Sequence, residues 1–315
     1  MIDVKNLTKY FGPVLAVDQV TFSITRGEIV GLLGLNGAGK TTTMRILTTY
    51  LPATSGTATL SGFDVRNQSM QVRKHIGYLP ENVPLYSEMR VEEYLEFRAK
   101  LKGLGRKERQ TRLDYCLGRC RIREVRRRLV GTLSKGYRQR VGLADAMIAD
   151  PPILILDEPT AGLDPVQIRE TLALIKELGA NHTILLSTHI LSEIEEVCGR
   201  IMIIHRGRLS SDKKMAELAA GGVIHIEVHG PSEQVVNVLK TTDGIEQVRQ
   251  QGQADGVVTC HVTTRDQKDM REAIAQRITR NGWTIRQLEQ RARTLEEHFM
   301  ETVSHIDTTV PGKVG

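Results

Sequence analysis

No stretch of this 315-residue chain approaches the ~18 consecutive apolar residues that a membrane-crossing helix needs. The longest apolar runs, such as Ile153–Leu156 and Ile201–Ile204, have the length of buried strands. The opening MIDVKNLTKYFGP is too polar to hold the apolar core of a secretory leader. Action at a membrane is therefore expected to run through another polypeptide. Cysteine is scarce too: Cys116, Cys120, Cys198 and Cys260 are the whole set. Cys116 and Cys120 have no matching second pair, and Cys-x2-Cys spacing is absent, which argues against zinc. The four read as reduced, partly buried thiols. A strong excess of one charge is also missing. Lys and Arg total 43 against 37 Asp and Glu, a formal net charge of +6. That balance permits an anionic partner (nucleotide, nucleic acid or lipid surface) without choosing one. With 40% hydrophobic and 25% charged residues, global disorder is excluded. The length suits one large domain with a small one, or two medium ones.

What is present is an alternation of strands and helices. Val4–Leu7 and Val14–Phe22 read as strands around a Gly12-Pro13 turn. Ile29–Leu33 reads as a buried strand before a glycine-rich loop and a helix from about Lys40 to Thr49. Strands follow at Thr57–Leu60, Ile76–Leu79, Ile153–Leu156, Thr183–Ser187 and Ile201–His205, and helices over Val91–Leu104, Arg138–Ile148, Pro165–Leu178 and Ile190–Val197. Residues 105–128 are densely basic. Leu113 and Leu117 give them an i,i+4 apolar pair, so a helix is expected there. Gly221-Gly222 marks a boundary. Beyond it the order is β-α-β-β-α-β, with alternating Ile224, Ile226 and Val228 and a helical Ile274/Ile278 pair. A last helix is expected over Leu295–Thr302.

The loop Gly34-Leu35-Asn36-Gly37-Ala38-Gly39-Lys40-Thr41 fits G-x-x-x-x-G-K-[ST] in full. Glycines let the backbone curl so that N–H groups point inward and, with the following helix N-terminus, hold phosphate oxygens. Lys40 brings a mobile positive charge to the β/γ-phosphates, and Thr41 an oxygen for Mg2+. Ile153–Leu156 then delivers Asp157 and Glu158 to the C-terminal edge of the sheet, where open α/β sheets bind ligands. Asp157 is expected on the metal side, through its water shell. Glu158 is expected as the general base that polarises the attacking water. His189, at the end of another strand, can reach a phosphate or orient a catalytic carboxylate.

With those residues in place the chain resembles the ATP-binding subunits of ABC transporters, most closely the bacterial group that serves ABC-2-type permeases, which includes gliding-motility, multidrug and copper-processing export ATPases. The resemblance covers roughly residues 2 to 215. It implies an α/β fold: a P-loop NTPase core of ABC type with a helical subdomain, followed by a small α+β C-terminal domain. The expected divisions are 1–220 for the ATP-binding domain (helical subdomain about 85–150), 221–303 for a ferredoxin-like accessory domain and 304–315 for a flexible tail. The resemblance also implies roles. Tyr10 looks like the aromatic residue that stacks on adenine, and Thr42 sits beside the phosphate loop. Leu133-Ser134-Lys135-Gly136-Tyr137 resembles the family signature, with Ser134 and Gly136 as its phosphate contacts. Ala161-Gly162-Leu163-Asp164 resembles the loop that crosses the dimer interface, and His189 the switch histidine. Two departures stand out. Lys135 and Tyr137 replace the usual glycine and glutamine of the signature. Glu81, which some members of the exporter group share, replaces a glutamine that touches Mg2+ or the attacking water; an ionised carboxylate can ligate but cannot donate.

The implied cofactors are ATP and Mg2+. The implied partners are a second copy of the chain and separate integral-membrane permease subunits, reached through the segment around Pro84 to Tyr94, at the cytoplasmic face of the membrane. Nucleic acid is not expected, and the transported substrate is not expected to touch this chain. The rival reading is a soluble ABC ATPase acting on nucleic acid or ribosomes, with the basic stretch 106–128 as contact. Such relatives usually carry duplicated ATPase units or a long coiled-coil insertion, and this chain has neither.

Overall fold

Alternating burial writes the first two strands. Strand β1 (Ile2–Phe11) buries Ile2, Val4 and Leu7, and β2 (Val14–Ile24) buries Val17, Val20, Phe22 and Ile24. In this computed structural model, which describes residues 1–220, 222–265, 269–292 and 294–309, the two pair antiparallel across the Gly12 turn. After β3 (Ile29–Leu33) and α1 (Lys40–Leu47) come β4 (Ser55–Leu60) and β5 (Phe63–Asp64), which complete a four-stranded sheet of order β2-β1-β4-β5.

The second sheet holds the apolar strands. α2 (Ser69–His75) leads into β6 (Ile76–Leu79), and three helices follow before β7 (Ile153–Asp157): α3 (Val91–Leu101), α4 (Arg106–Arg119) and α5 (Lys135–Met147). Then come α6 (Pro165–Leu178), β8 (Thr183–Thr188), α7 (Leu191–Val197), β9 (Arg200–His205) and β10 (Arg208–Lys214). The sheet order is β10-β9-β3-β8-β7-β6, with β6/β7, β7/β8, β8/β3 and β3/β9 parallel. Strands covered on both faces need no polar alternation, so β7 and β8 are buried throughout.

The helix expected across the basic stretch from the Leu113/Leu117 pair covers only part of it. α4 stops at Arg119 because Arg121 takes a left-handed backbone (φ 53), and short 3-10 turns follow at Arg123–Val125 and Val130–Thr132. Many of its arginines face acids: Arg109 meets Glu96, Arg112 meets Asp150, Arg119 meets Glu177, Arg121 meets Glu170 and Arg126 meets Glu92. Each such pair is worth about 0–1 kcal/mol at a surface, so together they tie the basic stretch to its neighbours rather than carry the fold.

The chain divides into two compact units, Met1–Lys213 and Lys214–Ser304. In the second, α8 (Met215–Ala220) precedes β11 (Gly222–His229), α9 (Ser232–Lys240), β12 (Ile245–Ala254), β13 (Val257–Thr264), α10 (Arg271–Arg280), β14 (Thr284–Ala292) and α11 (Leu295–Thr309). From β11 to β14 this is the β-α-β-β-α-β order, closing an antiparallel sheet of order β12-β13-β11-β14. Ile224, Ile226 and Val228 share one face with Val258, Cys260 and Val262, and Ile274 and Ile278 of α10 pack on it. Helix α10, expected around the Ile274/Ile278 pair, begins at Arg271, and 266–268 lie outside the described residues. The loose tail expected over 304–315 falls partly on α11, whose helix runs to Thr309 rather than Thr302, while 310–315 lie outside the described residues.

The opposite face of this small sheet is polar. His225 and His261 meet edge to face with ring centroids 5.3 Å apart, and Arg291 donates to His261 Nε2 at 2.8 Å and to Glu297 at 2.8 Å. Glu227 lies 3.6 Å from His225 Nε2, and Gln251 meets His261 Nδ1. Burial, then Arg291 and His225, push the His261 imidazole below the usual histidine range, with Glu297 pulling the other way. A depressed folded pKa means the folded chain holds fewer protons. The stability from this contact is present above the unfolded value and is lost as pH falls through the folded one. Melting curves should therefore show Tm falling between about pH 7.5 and 5.5, with a shallower fall in H261Q. Equal slopes would remove His261 from the acid response.

Candidate functional site

The nucleotide cleft is built where β3 ends. Leu32 and Leu33 are fully buried, and the chain then turns through residues 34–39 into α1. Gly39 takes φ 107, and a Cβ there would stand 2.6 Å from the Ala16 carbonyl, so only glycine makes this turn. No acid occupies the first turn of α1, which leaves its positive end open to an anion. Lys40 is almost wholly buried. Its Nζ donates to the carbonyls of Gly34 (2.7 Å) and Leu35 (3.3 Å) and lies 3.6 Å from Glu158 Oε1.

Strand β7, separated from β3 by β8, brings the acids. Glu158 follows β7 with φ 48, a strained backbone for a side chain of this size, held by its N–H donating to Ser187 Oγ and Ser187 O, each at 3.1 Å. His189, after β8, meets Glu158 Oε2 through Nδ1 at 2.9 Å. An ionised carboxylate only accepts, so Nδ1 carries the proton in this contact. The turn that presents His189 is itself braced: Thr188 Oγ1 donates to buried Glu193 at 2.7 Å and accepts from Ile190 N.

Asp157 lies beneath the loop. Thr41 Oγ1 donates to its Oδ1 at 3.2 Å and Ser187 Oγ at 2.6 Å, while its Oδ2 is buried with no hydrogen-bond partner among the described residues. Burial raises the Asp157 carboxyl above its usual range, opposed by the Ser187 and Thr41 hydrogen bonds and reinforced by the charges of Glu158 and Glu81. An orphaned, electrostatically strained oxygen beside a threonine hydroxyl fits a divalent cation. Ser187 is a site residue that sequence reading missed. Its only signal was a hydroxyl interrupting the apolar run of β8.

A cleft of about 330 Å³ is lined by Leu35, the loop Asn36 to Thr42, Glu81, Glu158, Ala161 and His189. The structure thus gathers most of the expected residues in one place. Gly34 and Asp157 lie just behind it, and Tyr10, Ser134, Gly136 and Asp164 are not part of its lining either. Tyr10 is half exposed near the end of β1. Ser134 caps α5, accepting from Tyr137 N, and Asp164 caps α6, accepting from Val166 N (3.0 Å) and Gln167 N (2.9 Å). Cys116 and Cys120 are buried free thiols, the first raised to about 12 by burial.

A comparison with known proteins agrees with this arrangement. The ABC transporter family model matches residues 17–161. The uncharacterized ABC transporter ATP-binding protein YxlF of Bacillus subtilis (strain 168) is 31% identical over 303 residues, 96% of this chain and 99% of that protein. Among solved structures, an ATP-binding subunit of an ABC transporter aligns with TM-score 0.65 and 34% identity, over 69% of this chain and 91% of that one. A dimeric post-hydrolysis state of the ATP-binding cassette MJ0796, bound to ADP and Pi, aligns with TM-score 0.64 and 25% identity, over 68% of this chain and 99% of that one. A phosphate loop after β3 and an acid pair at the end of β7, in a sequence that matches YxlF over almost the whole chain, place this protein in the family of ABC transporter ATP-binding ATPases.

Proposed function

We propose that this chain powers export through a separate ABC-2-type membrane permease, with ATP sandwiched between two copies. The observation that carries the reading is the convergence of Lys40, Glu158 and His189 on one cleft at the phosphate loop. Lys40 and the 34–41 backbone hold the β/γ-phosphates. Glu158 takes the proton of the attacking water, and His189, hydrogen-bonded to it, keeps the carboxylate turned toward the cleft. Tyr10 stacks on adenine from an exposed strand end. Ser134 and Gly136 complete the site from the second copy, with the Ala161–Asp164 loop crossing between copies; their absence from the lining of the single chain's cleft is in keeping with that. Thr41, Asp157 and Glu81 would hold Mg2+, which neutralises charge on the phosphates when bound.

ATP touches both copies and so favours the closed pair; loss of phosphate removes those contacts and reopens it. The subunit would then act peripherally at the cytoplasmic face of the membrane; among the described residues no helix is long and apolar enough to cross one. The pairing of Arg109, Arg112, Arg119, Arg121 and Arg126 with acids weighs against the rival nucleic-acid reading, since those charges are already partly neutralised within the chain. Purification of the tagged chain from membranes, with identification of what accompanies it, tests the proposal. An integral-membrane protein is the expected companion. Recovery only with ribosomes or DNA would overturn it.

A further inference from the structure

Lys135 stands in the 133–137 segment where the family usually has glycine, and its surroundings are unusual. It is the first residue of α5, at the positive end of the helix, with no acid in the first turn. Its ammonium makes no hydrogen bond or ion pair among the described residues. Electrostatics within the chain therefore does not place this side chain. Packing does. Its Nζ, Cε and Cδ are the three atoms nearest the point where a Cβ on Gly162 would stand, and Gly162 sits in the left-handed region at φ 71. The next residue repeats the contact: Gly136 lies directly against the side-chain amide of Gln167.

Two successive residues at the start of α5 thus rest on the 162–167 segment. That segment leads back to the catalytic strand end through two local turn hydrogen bonds. Leu163 N donates to Thr160 O at 3.1 Å, and Ala161 N donates to Glu158 O at 3.1 Å. Gly162 has no side chain of its own to fix it, so what covers it decides its freedom. Glu158 itself holds a left-handed backbone that persists only while its surroundings keep it there.

We propose that Lys135 is a positioning residue whose aliphatic stem clamps the Ala161–Asp164 loop and, through that loop, sets Glu158 of the same chain. The inference rests on the two-copy reading above. There the start of α5 closes the other copy's nucleotide, so this contact gives closure on one nucleotide a physical route to the carboxylate serving the other. The route is a packed stem, not a charge on phosphate, and that distinction is testable.

Steady-state ATPase of the full chain and equilibrium ATP binding should be compared for wild type, K135A, K135M and E158Q. K135A is expected to lower kcat about ten-fold, with KM for ATP within about three-fold and a Hill coefficient nearer one, because a displaced base loses rate more than binding. K135M keeps the stem without the charge and is expected to recover most of the lost turnover. Wild-type turnover and cooperativity in K135A would reject the clamp. K135M as impaired as K135A would also reject it and assign the effect to the ammonium. E158Q separates the two levels. Near-normal turnover in E158Q removes the role of Glu158 and both readings with it, whereas an inactive E158Q beside an unaffected K135A rejects the clamp alone. Lys135 is exposed, so unchanged melting curves are expected for both of its variants.

Discussion

Glu158→Gln is expected to bind ATP about as well as the wild type and to turn it over at least ~100-fold more slowly, the scale of losing a general base. The substitution is close to isosteric, so the cleft keeps its shape. Glu158 is almost fully buried between Lys40 Nζ at 3.6 Å and His189 Nδ1 at 2.9 Å. A glutamine carbonyl can still accept from His189, which preserves the side-chain orientation. It cannot take a proton from water. Loss of the buried negative charge also leaves Lys40 freer to engage phosphate, so affinity should hold or rise slightly. With hydrolysis blocked, Mg-ATP should accumulate the closed two-copy state, read by sedimentation with and without nucleotide, best in the permease-bound form. ATPase activity near that of the wild type would remove Glu158 from the role of base. A variant that stays monomeric with Mg-ATP, alone and with the permease, would refute the shared site.

The parts of this site that could be read from sequence are those that are local. The 34–41 loop, its preceding apolar strand and its following helix are contiguous, so each residue type carries its own reason. Asp157 and Glu158 were legible because four apolar residues followed by two acids leave few alternatives to a strand delivering carboxylates to a sheet edge. The alternation of Ile224, Ile226 and Val228 likewise gave the buried face of the small sheet. What escaped reading depends on partners far along the chain. Ser187 bonds Asp157 from 30 residues away, and a hydroxyl at the end of the apolar run of β8 does not name that partner. Strand β10 is polar and only partly buried, so it carries no apolar alternation to betray it. The stretch 106–128 shows the limit of charge patterns. Ten basic residues suggested a solvated helix or an anion surface, but the acids that pair with many of them, such as Glu96, Asp150, Glu170 and Glu177, sit on other elements. The contact of Lys135 with Gly162 was invisible for the same reason, although the substitution itself was plain.

Lys40→Ala should be the most damaging change to nucleotide binding, and its effect has two separable parts. The ammonium is nearly buried, donates to Gly34 O and Leu35 O, and lies 3.6 Å from Glu158. With nucleotide present it is the mobile cation of the loop. Hydrogen bonds to charged groups contribute about 1.5–3 kcal/mol each, so affinity for ATP should fall about 10- to 100-fold, measurable by titration calorimetry. Hydrolysis should fall further, because phosphate charge is then less well matched as it redistributes. The second part concerns the empty protein. Removing Lys40 leaves Glu158 in its buried position without its nearest cation, with only His189 against it, and one-sided loss of a buried pair destabilises more than loss of both partners. A double-mutant cycle resolves the two. K40A should lower the melting temperature of the nucleotide-free chain in the wild-type background and lower it less in the E158Q background. The affinity loss, by contrast, should persist in both backgrounds, because it arises at phosphate rather than at Glu158. Equal melting shifts in the two backgrounds would show that the Lys40–Glu158 contact carries no stability. Unchanged ATP affinity in K40A would take the phosphate clamp away from Lys40 altogether.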